Sequence, residues 1–300
     1  PDLQFRGFAA SPLLGMSQGI AVYVDGVRSN EPFGDTVNWD LLPVSAIASA
    51  NVIPGSNPLF GLNALGGAPS FETKTGTSHP GHTARAMSGS FARSSFDFTS
   101  GAAFKENLSY FVAANVQTED GWRDFSPTDS GQFFGNVEWR KNGSMLGLSV
   151  ASGFGRLIGN GPAPVQLLEE DRAAVFTHPD RTKTRAAMIS LRETRTLSKG
   201  SFDRVFYVRP AKVSTFNGDD TTYDECEDDD FEELLCADDG DGDLVLTPDG
   251  LPIGVDDEAP YDATNNYSTT RTNGWGGTLQ ATRLTSPGER ENRLIVGATF

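Results

Sequence analysis

Beyond Gly76 the chain alternates apolar and polar side chains with period two, the spacing of a strand whose faces meet different surroundings. From Leu108 to Gln117, Leu108, Tyr110, Val112, Ala114 and Val116 share one face, and Ser109, Phe111, Ala113, Asn115 and Gln117 the other. Phe133, Gly135, Val137 and Trp139 oppose Gln132, Phe134, Asn136, Glu138 and Arg140. Leu146, Leu148 and Val150 alternate with Gly147 and Ser149, and Ala187, Ile189 and Leu191 with Ser190, Arg192 and Thr194. Noisier runs cover Ser201 to Phe216, Asn273 to Leu284 and Asn292 to Phe300, and together the pattern predicts about nine strands. Short polar turns are expected at Ser94-Ser95, Lys105-Glu106-Asn107, Lys141-Asn142-Gly143, Ser198-Lys199-Gly200 and Ser286 to Glu289. Longer connectors run from Glu119 to Ser130 and from Gly155 to Pro179, with one short helix predicted within Pro162 to Val175. A β-sandwich and a membrane barrel both produce this alternation, so the period alone does not separate them.

The first 76 residues have a different texture. Ile20 to Val24 is a short apolar strand that runs into the tight-turn pair Asp25-Gly26. A polar loop with Asn30, Glu31, Phe33, Gly34 and Asp35 follows, then a compact apolar segment from Trp39 to Val52, a Gly- and Pro-rich stretch, and a strand from Ser70 to Lys74. Arg6-Gly7-Phe8, Asp25-Gly26-Val27, Ile47, Val52-Ile53, Phe60-Gly61, Gly66-Gly67 and Thr73-Lys74 occur in the order found in the second half of the plug domain of TonB-dependent outer-membrane receptors. Each piece is weak by itself; the ordered run resembles that family strongly.

The resemblance sets the fold expectation. Residues 1–78 are expected to be the C-terminal part of a plug, a small mixed α/β domain. Residues 79–300 are expected to be an antiparallel transmembrane β-barrel segment. Nine strands are too few for a barrel closed around a plug, which takes about 22, so further strands and the start of the plug are expected outside this chain. The opening Pro1-Asp2-Leu3 has neither an initiator Met nor an apolar leader, which reads as an internal fragment or a processed piece. Composition agrees: 33 of 300 residues are Gly, 10% are aromatic, and no run of about 18 apolar residues supplies a transmembrane helix. A mean hydropathy of −0.34 fits strands that bury every second side chain in lipid.

Charge changes the picture at one place. The net charge of −16 is concentrated between Asn217 and Asp262, which hold 19 Asp and Glu and no Lys or Arg; the remaining 21 acids face 24 bases. The plain reading of residues 217–262 is a solvated external loop, and its acidity argues against nucleic acid as a partner. Cys226 and Cys236 lie within it with nine residues between them, and a loop disulfide is preferred to a redox or metal role because no His lies near. Asp239, Asp241 and Asp243 alternate with glycines as in a calcium loop, but Leu244 and Gly250 stand where an EF-hand needs Gly and Glu, so a weak calcium site competes with a solvated acidic loop. Gly15-Met16-Ser17-Gln18-Gly19 fits the nucleophile-elbow pattern, yet a strand follows where the elbow needs a helix. No enzyme chemistry and no cofactor are read from the chain.

What the resemblance implies about function is transport. Receptors of this family bind a scarce ligand, typically a ferric siderophore, and import it across the outer membrane when the inner-membrane TonB complex pulls on the plug. The motif that TonB grips is not found in this chain. Ligand contacts in the family come from apical plug loops, which here correspond to Arg28 to Trp39 and Leu59 to Asn63. Arg28, Asn30, Glu31, Phe33, Asp35 and Phe60 are therefore the expected ligand contacts. The competing reading pairs Arg28 and Glu31 with the barrel wall and packs Phe33 inside the plug. Cobalamin, a nickel chelate or an oligosaccharide are alternative ligands, a calcium-binding surface adhesin is the alternative class, and the family's haem-receptor signature is not found.

Overall fold

The computed structural model describes the chain apart from residues 1–2, 13–14, 57–59, 62, 105–106, 160–162, 221–222, 232, 238–239, 248, 256–262 and 286–291. Its first part holds a hairpin of β1 (Leu3–Phe5) and β2 (Phe8–Ala10) and a four-stranded sheet of β3 (Tyr23–Val24), β4 (Val27–Arg28), β5 (Ile47–Pro54) and β6 (Gly67–Thr73) in the order β4-β3-β6-β5. β3 and β6 run parallel. The β3–β4 turn is Asp25-Gly26, with φ of 50° and 79°, which is the left-handed pair that a two-residue hairpin requires. The Asp25 carboxylate then accepts hydrogen bonds from the Thr73 backbone N–H (2.9 Å) and hydroxyl (2.6 Å), locking this turn to the end of β6. The helical share of the plug is confined to 3-10 turns such as Trp39–Leu41 and Val44–Ala46, separated by Pro43. Ala10, Ile20, Val22 and Val37 form its dry centre, with Phe8, Trp39 and Phe71 packed around them.

The rest is one nine-stranded antiparallel sheet in which every strand pairs with its neighbour along the chain. Its members are β7 (Gly81–Ser88), β8 (Ser94–Phe104), β9 (Leu108–Glu119), β10 (Thr128–Lys141), β11 (Ser144–Ile158), β12 (Arg181–Leu197) and β13 (Gly200–Asp220). Two short strands, β14 (Asp224–Glu225) and β15 (Leu235–Cys236), pair separately; β16 (Ala263–Thr285) and β17 (Asn292–Thr299) complete the sheet. Connections alternate strictly in length. Asn142-Gly143, with φ of 49° and 73°, and Ser198-Lys199 close two-residue hairpins at one end. Residues 120–127, 159–180 and 221–262 make the long connections at the other. Two expectations need correction. Ser94-Ser95 begins β8 rather than forming a turn; the reversal lies just before it, where Phe91 and Ala92 take positive φ and the Gly89 N–H bonds the Arg93 carbonyl at 2.8 Å. The helix expected over Pro162 to Val175 is only α1 (Val165–Glu170), because the chain turns at Asp171, whose side chain accepts from the Ala173 N–H.

The plug sits on one face of this sheet. Phe111, Ala113, Phe134, Ala151, Ala186 and Met188 point inward and bury Val27, Leu41 and Ala46 of the plug. A Cβ on Gly153 would overlap the Asp40 carbonyl oxygen, so the plug backbone lies directly on β11 there. The opposite face is bare: Leu108, Phe133, Val137, Trp139, Leu146, Leu148, Ile189 and Leu191 are all more than 40% exposed. Tyr110, Val112 and Val150 share that side and are half-buried, whereas Asn115, Gln132, Asn136, Glu138 and Arg192 are on the plug side. Gln132 donates to the Trp39 carbonyl (3.3 Å), and Arg192 lies beside Gly26. Among the described residues no helix is long and apolar enough to cross a membrane.

Candidate functional site

At the long-loop end the plug presents the β4–Trp39 loop to the inner wall. The loop closes on itself through the Glu31 N–H to the Thr36 carbonyl (2.7 Å), with Gly34 and Asp35 in the left-handed region at its tip. Asn30 is its internal staple. Its Nδ2 donates to the carbonyls of Ile20 (2.9 Å) and Asp35 (3.2 Å), and its Oδ1 accepts from the Val22 N–H (2.8 Å). Arg28 and Asp35 form an ion pair at 2.9 Å, and Asn63 Nδ2 donates to the other Asp35 oxygen at 2.5 Å, so the two apical loops meet at Asp35. Phe60 packs edge-on against Tyr23, whose hydroxyl donates to the Phe60 carbonyl (2.8 Å). Burial pushes the Tyr23 hydroxyl pKa up, Arg28 opposing it. Phe33 stands at the loop tip, 63% exposed.

Glu31 is the loop's link to the wall. Arg209 of β13, only 2% exposed, places Nε 3.4 Å from Glu31 Oε1 and donates from Nη1 and Nη2 to the carbonyls of Arg28 (2.8 Å) and Asn30 (2.6 Å). Asn38 Nδ2 also donates to Glu31 Oε1 (2.8 Å), while Oε2 is buried without a hydrogen-bond partner among the described residues. Burial raises the Glu31 pKa despite Arg209 and Asn38, which both act to lower it. Burial likewise raises that of Asp40. Both carboxyls thus hold their protons more firmly than exposed acids do.

Between this loop and the upper wall lies a cavity of about 720 Å³, bordered by Phe33, Glu31, Asn38 and Asp40 on the plug and by Ser130, Thr182, Thr184, Thr215, Thr270 and Thr272 on the wall. Its lining is hydroxyl-rich, with apolar contacts from Met16, Leu157 and Val213. Of the six expected contacts, Phe33 and Glu31 border this cavity, Arg28, Asp35 and Phe60 form the junction of the two loops, and Asn30 lies beneath as a backbone staple. Arg209 and the wall threonines were not singled out from the sequence. Arg209-Pro210 did carry a signal, since Pro has no N–H for a ladder and marks an interruption inside a long strand.

The acidic insert rises from the same end. Its β14–β15 pair, the Cys226–Cys236 disulfide and hydrogen bonds such as Val245 N–H to the Leu235 carbonyl (2.8 Å) give it a folded centre with Leu235 and both cysteines buried. Asp241 and Asp243 are exposed, Asp239 lies outside the described residues, and no group of three metal-ligating side chains occurs among the described residues.

Residues 1–68 match the family model of the TonB-dependent receptor plug domain. Among solved structures, the siderophore receptor PiuA from Acinetobacter baumannii superimposes with a TM-score of 0.69 at 12% identity, over 99% of this chain and 39% of that one. The open form of the ferric-catecholate import receptor Fiu from E. coli K12 gives 0.68 at 12%, over 94% and 42%. FpvA from P. aeruginosa, solved bound to heterologous pyoverdines, gives 0.60 at 16%, over 95% and 36%. The chain therefore spans about two fifths of the length of these receptors, and at such identities the likeness shows the fold. No curated protein matches the chain in sequence.

Proposed function

We propose that this chain, a plug domain with part of the barrel of a TonB-dependent receptor, serves active import across a bacterial outer membrane, taking up a ferric siderophore or another iron complex. The observation that carries the reading is the cavity of about 720 Å³ between plug apex and wall at the long-loop end. It is of the size that small-molecule sites occupy, and its floor is the plug itself, so an occupant contacts the element that must move for passage. Phe33 offers an exposed aromatic face, the wall threonines offer hydroxyl donors and acceptors, and Arg28 and Asp35 hold the loop in shape from below. The TonB complex acts in this reading on plug segments ahead of β1, and no bond is made or broken. An oligosaccharide is the second reading, favoured by the hydroxyl-rich lining. Binding of a panel of iron chelates and neutral oligosaccharides to the complete receptor, followed by uptake of radioactive iron, tests both. Saturable binding of no iron complex would overturn the first reading.

The 217–262 insert is proposed to sort ligands at the mouth. Nineteen acids without a base disfavour free anionic chelators and favour cations or less anionic metal-loaded complexes. Added salt should erase this preference, since the screening length is about 8 Å at physiological ionic strength. Uptake measured across a salt series with the insert deleted checks it; identical uptake and salt dependence would leave the insert a spacer.

A further inference from the structure

The face of the wall turned away from the plug carries a second charged feature that the import reading does not use. Register puts Arg185 of β12 directly opposite Lys212 of β13, and Lys212 directly opposite Arg271 of β16. Three cations thus form one unbroken cross-strand row. The next row toward the long loops adds Arg156 opposite Lys183, and the one after it adds Arg181. Arg181, Lys183 and Arg185 project outward, since Ala186 and Met188, which alternate with them on β12, are buried against the plug, and cross-strand pairing puts Arg156, Lys212 and Arg271 on the same face. Directly opposed like charges destabilise a sheet. Yet among the described residues none of the six has an ion-pair partner, and the nearby outward acid Asp129 is engaged by the Thr118 hydroxyl at 3.0 Å. Among the described residues nothing supplies the row with a counter-anion.

Position identifies that anion. Below the cations the outward surface becomes the bare apolar belt of Ile189, Leu191, Phe206 and Val208; above them Phe216 and the exposed Tyr267 continue into the long loops. Cations at this height stand where lipid headgroups meet hydrocarbon. The row spans two strand spacings, about 10 Å, wide enough for several phosphate oxygens at once. It also frames a shallow recess of about 270 Å³ lined by Arg181, Lys183, Arg185 and Lys212 with Ser214 and Tyr267. We propose that this recess binds the phosphorylated headgroup of a membrane lipid in the leaflet on the long-loop side. The guanidinium groups take phosphate oxygens in pairs, the lysines act as point charges, and the Ser214 and Tyr267 hydroxyls supply neutral donors. The site rests on the reading that these strands span a membrane.

The test uses the complete receptor in phosphatidylcholine nanodiscs, with and without added diphosphoryl lipid A. Enrichment of the diphosphorylated lipid around the receptor is expected, and replacing Arg185, Lys212 and Arg271 together by Gln should reduce it about a hundredfold. Equal enrichment in the triple variant would overturn the site. Full competition by inorganic phosphate would overturn the lipid assignment in favour of a small-anion site. Binding that rises sharply on deletion of residues 217–262 would show instead that the acidic insert is the natural partner of the row, and would also overturn it. Quenching of tryptophan fluorescence by brominated phosphatidylcholine, reporting on outward Trp139 and Trp275, separates the premise from the proposal. Quenching without headgroup preference removes the site alone, and no quenching removes the spanning reading and the site with it.

Discussion

The two faces of β9 to β12 are both apolar at mid-height, yet they are apolar in different ways. The plug side carries Ala113, Ala151, Ala186 and Gly153, small groups that let another backbone come close, with Phe134 and Met188 filling the gaps. The far side carries Phe133, Val137, Leu148 and Ile189, large and bare. A soluble sheet could not leave that second face open, because contiguous apolar surface of this extent is covered or aggregates. Size and exposure together, rather than hydrophobicity, separate a face meant for protein from one meant for lipid.

The sharpest way to break this contrast is at Arg209. Arg209→Met should cost about 3–5 kcal/mol in plug seating, because it leaves Glu31 buried without its cation, whereas Val208→Met, one residue away and outward, should cost almost nothing. Hydrogen exchange of the loop around Glu31 would read the difference. Linkage adds a sign. The Glu31 pKa is raised by burial, so its contribution to seating is fully present below about 4.5 and is lost as pH rises through the folded value. Removing Arg209 takes away a lowering influence and should widen that acid-favoured window.

Next in size, Ile189→Arg on the outward face should cost about 2–4 kcal/mol of barrel stability at mid-bilayer, while Thr184→Arg on the cavity side of the same strand should be tolerated. Folding titrations in lipid vesicles measure both, and equal costs would erase the assignment of faces. Glycine sharpens the contrast further. Gly153→Ala should cost about 1–3 kcal/mol through forced displacement of the plug. Gly135→Ala should be nearly neutral, because its new methyl meets only side chains on the open face, the exposed Phe133 ring at 3.3 Å and Val112 at 3.9 Å. The smallest effect is expected at the cavity: Phe33→Ala should weaken ligand binding by about 1 kcal/mol and leave the melting temperature unchanged.

Much of this architecture was legible in the chain because period two survives wherever the two faces meet different solvents. It fails where they do not. β7 is exposed on both sides, so it carries no contrast to read, and β8 opens with the turn-like pair Ser94-Ser95. The plug-side face is polar at Asn136 and Glu138, but at Phe111 and Phe134 it is apolar because the plug, not water, lies against it. The candidate site was only partly legible. Loop residues such as Arg28 and Phe33 stand out by order and type. The partner of Glu31 lies 178 positions away on β13, a pairing created by the sheet and invisible in local pattern.

The short link from β6 to β7 has a mechanical consequence. Gly76 fits against the backbones of Ala102 and Tyr110 so closely that no side chain could be accommodated, and the His79 N–H closes a turn on Thr75. The plug is therefore leashed at one end to the seam between β8 and β9. Under the import proposed above, a pull on the free end of the plug would act across the whole body against that fixed point, with the Arg209 contact as the catch partway along. If the proposed import holds, such a body would swing open like a hatch on a hinge instead of dropping out like a cork.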